Sequence, residues 1–250
     1  MSEYFKFEDK NNDFPFYNGN PPISKIDWAI LLTGVLVFIG ILFYPYDIDH
    51  RVVSVLFCLV VLIPIVYVSR NNLSLFFKKP KRKDIVLILM CVILYYMYGI
   101  IVASILIQSG VQTYANAIIT FDMDLIFWIT TLIQLLGEEL FKISLFILTL
   151  FAVYHLTHKR KLAIVCGVIL SLLVFGLLHY NAYNGALLQI ILIISIGGIF
   201  YTYAYLKTKN VVVTYIIHII IDAIPLLAVM ALKSSGFDPA QLTNLILMLL

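Results

Sequence analysis

Apolar residues fall in seven long blocks separated by short polar stretches, at roughly 27–44, 52–68, 85–107, 124–151, 162–182, 185–206 and 211–231. About 20 apolar residues cross the hydrocarbon core as a helix. The pattern therefore predicts an all-α chain, a polytopic transmembrane helix bundle of about seven to eight spans. A shorter block, Leu242 to Leu250, is too short to cross and is expected at the interface or against the bundle. Four regions follow: a polar and aromatic N-terminal arm over residues 1–25, three helices with a basic loop over 26–123, the later helices over 124–231, and a short apolar segment over 232–250.

Composition agrees with the blocks. Of 250 residues, 62% are hydrophobic and only 12% charged. A soluble domain of this length does not use so much apolar side chain. The net charge of +3 gives no reason to expect nucleic acid. Cys58, Cys91 and Cys166 lie inside apolar blocks, without metal-ligand spacing, and read as small buried hydrophobes. No cleavable signal peptide is recognised at the N-terminus. The arm is expected either at the headgroup level, where its aromatic residues are at home, or as a disordered tail.

Basic residues set an orientation. Arg70, Lys78, Lys79, Lys81, Arg82 and Lys83 follow the second block, Lys159 to Lys161 the fourth, and Lys207 and Lys209 the sixth. The alternate loops are nearly free of Lys and Arg, with Arg51 and Lys233 as minor exceptions. By the positive-inside rule the basic loops and the N-terminus are cytoplasmic.

Ionisable residues within the later blocks need another explanation. Glu138 and Glu139 stand side by side in the fourth, with Lys142 one turn on. A carboxylate near the bilayer centre costs roughly 2.5–3.5 kcal/mol on insertion scales and usually marks a site. Glu138 and Lys142 are i,i+4; Glu139 and Lys142 are i,i+3 and also in reach. Phe175 and His179 share a face of the fifth block, as do His218 and Asp222 on the seventh. Asp222 is expected to accept the Nδ1–H of His218 and fix its tautomer. A helical bundle can gather such groups into one interior cluster. Two Glu, two His and an Asp suit hydrolysis: a carboxylate takes a proton from water, and imidazoles stabilise the oxyanion. They also suit zinc, with Glu138, His179 and His218 as the candidate ligands, though the His-Glu-x-x-His pattern is missing.

With these motifs the chain resembles the CPBP family of CAAX proteases and bacteriocin-processing or self-immunity enzymes, also called Abi. That family's pattern is Glu-Glu-x-x-x-Arg, then Phe-x-x-x-His, then His-x-x-x-Asn or Asp. Glu138-Glu139, Phe175 to His179 and His218 to Asp222 match it in order and spacing. The family's Arg falls at Ile143; Lys142, the nearest base, can still pair with Glu138, or else the catalytic geometry is relaxed in this branch. The resemblance implies an intramembrane endopeptidase. Glu138 would be the base, with His179 holding the water and His218 and Asp222 at the oxyanion. Glu139 would tune Glu138 or hold structure. Metal-free and metal-dependent hydrolysis both stay open. His179, drawn near the outer end of its helix, stands about ten ångströms off the depth of Glu138 and His218.

The implied setting is a bacterial plasma membrane. The implied substrate is a small membrane-associated peptide or protein: a bacteriocin, leader, pheromone-type precursor or CAAX-like substrate. Two other classes fit the residues: a non-catalytic immunity or regulatory protein that binds a peptide or sensor kinase, and a proton-coupled transporter using Glu138, Glu139 and Asp222 as relays.

Overall fold

A computed structural model describes residues 3–43 and 48–235. Among these the chain is all-helical, without strands. Seven helices are long and apolar enough to cross a membrane: α1 Lys25–Phe43, α2 His50–Val68, α3 Arg82–Gln108, α4 Leu125–Thr157, α5 Arg160–Leu177, α6 Leu187–Thr208 and α7 Val211–Ser234. The expected segment at 242–250 lies outside the described residues.

Local chemistry sets the helix ends. The Asp124 side chain accepts the Phe127 N–H at 2.7 Å and caps α4. Asn210 caps α7 by accepting the Val212 N–H at 3.1 Å. The α4 C-terminus is closed by His158 in the left-handed region, at φ 54°. α6 is not one regular helix: Ile190–Ser195 forms a π-helical turn. The Tyr98 hydroxyl donates to the Leu192 carbonyl at 2.6 Å within that turn. Such turns reposition the side chains that follow them.

α4 is central and packs on α1, α2, α5 and α7. Apolar contact with lipid tails gives little reason for two helices to associate, so close backbone approach matters. Two glycines permit it. A Cβ on Gly34 of α1 would stand 2.7 Å from the Val60 carbonyl of α2, and one on Gly137 of α4 would stand 2.8 Å from the Cys58 backbone. Backbone cannot swing aside as a side chain can. Gly137→Leu is therefore expected to cost ~1–3 kcal/mol or more by overpacking. Thermal unfolding of the purified protein in detergent would show it; an unchanged transition would mean that α2 and α4 tolerate separation.

The two ends of the bundle differ. At one end lie the loops that join α2 to α3, α4 to α5 and α6 to α7. The N-terminal arm is not a disordered tail. It folds over this end, with Phe14, Phe16 and Tyr17 buried. Glu8 takes both NH1 and NH2 of Arg160, at 2.9 and 2.7 Å, and Lys209 Nζ at 2.9 Å. Asn12 donates to the Thr208 carbonyl and accepts from Lys78. Burial alone would raise the Glu8 carboxyl, but Arg160, the Phe5 N–H and Lys209 outweigh it and hold it at about 2. At the other end, Arg51 pairs with Asp124 at 2.9 Å, and the Gln189 amide grips the Tyr114 backbone.

Candidate active site

α4, α5 and α7 bring the expected residues to one cavity of about 270 Å³, lined among others by Glu138, Phe175, His179, His218 and Asp222. The two glutamates divide. Glu138 faces the cavity, whereas Glu139 points into protein, with only 2% of its side chain exposed. Adjacent helical residues lie about 100° apart, so a bundle that buries one carboxylate can present the other to the cavity.

Of the two carboxylates within helical reach, Lys142 pairs with Glu139 and not with Glu138. The i,i+3 partner wins because Glu139 shares its buried face. The ammonium also stands 4.4 Å from the Phe175 ring centroid and 3.7 Å from that of Tyr201. Cation–π contacts of this kind are stronger when desolvated. The Thr214 hydroxyl of α7 donates to the second oxygen of Glu139. Glu139 thus joins α4 to α7, and Lys142 joins that pair to α5 and α6.

His218 departs from expectation. Its Nδ1 stands 2.8 Å from Glu139, a charge contact without hydrogen-bond alignment. Asp222 does not hold Nδ1; it stands 3.7 Å from Nε2. Nε2 also lies 3.9 Å from Glu138. One turn of helix brings Asp222 under the other edge of the ring, while Glu139 approaches from α4. The ring stacks on Tyr201, with centroids 5.4 Å apart.

His179 lies just past the C-terminus of α5, in a turn, not within a span drawn to 182. α5 stops where Asn181, Tyr183, Asn184 and Gly185 follow; Asn184 and Gly185 both take positive φ. The turn that follows this early stop contributes Leu178, His179, Ala182 and Tyr183 to the lining of the cavity. Nδ1 of His179 lies 2.9 Å from the Phe175 carbonyl. A carbonyl only accepts, so Nδ1 carries the hydrogen, and in the neutral ring Nε2 is left as an acceptor.

Sequence reasoning missed Gln134 and Ser54. Gln134 donates to Glu138 Oε1 at 2.9 Å, and its own oxygen accepts from Ser54 of α2 at 2.7 Å. Gln134 is i−4 from Glu138, and Thr214 is i−4 from His218; both were polar residues in apolar blocks on the relevant face. Ser54 gave no such signal, since its partner lies 80 residues away.

The donor set was tested for a metal. Among the described residues no three His, Cys, Asp or Glu side chains are grouped so as to hold one. Glu138, His179 and His218 line one cavity without forming a ready ligand set.

Residues 121–224 match the family model described as type II CAAX prenyl endopeptidase, Rce1-like. No curated protein and no solved structure gives a match. The matched segment contains α4, α5, α6 and the first half of α7, and with them Glu138, Glu139, Phe175, His179, His218 and Asp222. Over residues 121–224, less than half of its length, the chain is thus similar to type II CAAX prenyl endopeptidases of the Rce1-like kind.

Proposed function

We propose that this integral membrane protein hydrolyses a peptide bond in a small membrane-associated peptide or protein, with Glu138 as the base that activates water. The observation that carries this reading is the convergence of Glu138, His179, His218 and Asp222 on one cavity from separate elements. Glu138 is oriented by Gln134 and faces the space that a water and a substrate carbonyl would share. His179 offers Nε2 to the water. The water oxygen attacks the carbonyl carbon, and its proton passes to Glu138. His218, set by Glu139 at Nδ1, turns Nε2 toward the cavity as the donor for the developing oxyanion. An ionised Asp222 accepts and does not donate, so its part is to favour charge on His218 rather than to bind the oxyanion. Glu138 then returns its proton to the leaving amine.

We place it in a bacterial plasma membrane on its low-charge, Ile-, Asn- and Lys-rich composition, with the N-terminus inside on the pattern of basic loops. There the substrate is a bacteriocin, a leader or a pheromone-type precursor rather than a prenylated protein. The test compares peptide termini in membranes and medium from cells carrying wild-type protein or equally expressed Glu138→Ala. New termini that appear only with wild type are expected. Identical termini would move the protein to the non-catalytic, peptide-binding class.

A further inference from the structure

We infer that the cavity is entered from the end of the bundle opposite the arm, on the extracytoplasmic side, and that it takes apolar peptide segments presented in the outer half of the membrane. The substrate part rests on the peptidase reading; the route of entry does not.

The first support is where the walls lead. From Glu138 the lining runs through Phe127, Phe121, Ala117, Asn116 and His50. All belong to the end where Arg51 meets Asp124. No lining residue comes from the loops around 69–81, 158–159 or 209–210. His50 and Phe121 stack in parallel at that end, with centroids 4.0 Å apart.

The second support is that the opposite end is closed. The side chains of Glu8, Arg160 and Lys209 are at most 2% exposed. Beneath them Phe14 packs edge-on against Phe146, with centroids 5.0 Å apart. Leu150 of α4, one turn nearer the arm end than Phe146, is also fully buried. Nineteen residues of α4 separate Glu138 from Thr157, about 28 Å of helix, against about 20 Å back to Leu125. The carboxylate therefore sits nearer the Leu125 end.

The third support is charge. Every Lys and Arg of the chain lies at the arm end except Arg51, Lys233 and the buried Lys142. An asymmetry of that size holds the basic end in the cytoplasm. The cavity consequently opens outward.

The lining also limits the substrate. It contains no Lys or Arg, so apart from the His218 ring at its polar floor no side-chain cation waits for a free terminal carboxylate. Away from the polar floor the walls are aromatic and aliphatic. Internal bonds flanked by apolar side chains fit such a channel, whereas charged, water-soluble chains would leave their charges unpaired in it.

The test uses the full chain in intact cells, with Cys58, Cys91 and Cys166 replaced by Ala and one new cysteine, either Ala117→Cys or Lys81→Cys. A membrane-impermeant maleimide is applied before and after permeabilisation. Ala117→Cys is expected to label in intact cells, and Lys81→Cys only after permeabilisation. The reverse pattern, labelling of both, or no labelling of Ala117→Cys in intact cells would overturn outward entry. Labelling needs no turnover, so it stands even if Glu138→Ala leaves peptide termini unchanged. Where Glu138-dependent termini exist, maleimide on Ala117→Cys applied from outside should remove them, and their persistence would overturn this route. Those termini should fall in apolar segments of the outer leaflet; cytoplasmic, charged cleavage sites would overturn the substrate class.

Discussion

Glu138→Gln is expected to fold and not to cut, while Glu139→Gln is expected to lose the fold. Removing a positioned general base costs roughly 10²–10⁴ in rate. Glu138 faces the cavity and holds no buried cation, so its amide analogue keeps the shape and the Gln134 contact region. Glu139 is different. It accepts from Lys142 and Thr214 and touches His218 Nδ1. With Gln in its place, Lys142 remains as a charge 6% exposed between two aromatic rings. Breaking a buried pair from one side costs roughly 3–5 kcal/mol. Replacing both partners, Glu139→Gln with Lys142→Met, should restore much of that stability, since no buried charge is stranded. It should not restore cleavage, because His218 would still lack its Nδ1 partner. Thermal unfolding and peptide termini, read on the same four proteins, separate the two carboxylates. Equal loss of stability in both single variants would sink the division of labour.

The second large effect belongs to the arm. Glu8→Gln should destabilise the protein by roughly 3–5 kcal/mol, because Arg160 and Lys209 would stay buried with Asp13 as the remaining carboxylate paired to the guanidinium among the described residues. The Glu8 carboxyl is held at about 2 against an ordinary 4.5. A depressed carboxyl stabilises the folded state fully above its unfolded value. That contribution falls as pH drops from 4.5 toward about 2. Acid unfolding in detergent should therefore steepen across that window in the wild type. In Glu8→Gln the steepening should be lost, and a profile parallel to wild type would show that the arm does not carry the acid sensitivity.

The spans were legible because hydrocarbon demands unbroken apolar runs, and the motif residues because charge is rare within those runs. What the sequence could not show was which neighbour each side chain meets. Helical spacing put Lys142 within reach of both glutamates; only the burial of Glu139 against α7 chose between them. Spacing likewise paired His218 with Asp222, but the contact across helices, Glu139 to Nδ1, is shorter than the contact along one. The end of α5 was drawn too late because Leu178 and Ala182 continue the apolar pattern while the chain turns at His179. The arm was hardest of all. Read alone, its mixture of acids, amides and aromatics looks solvated, and its partners lie in distant loops.

The arm also constrains how the protein is made. Glu8 leaves the ribosome 152 residues before Arg160 and 201 before Lys209. At 5–20 residues per second the interval to Lys209 is about 10–40 s. Until then Glu8 lacks at least one of its two cations, Arg160 being made only after about 8–30 s, while six helices enter the bilayer. The arm can dock only after insertion is nearly done, and only if it has stayed on the side where those loops arrive. Residues made before every helix of the bundle are thus among the last to find their place, and a chain threaded with α1 reversed has no way to close this end.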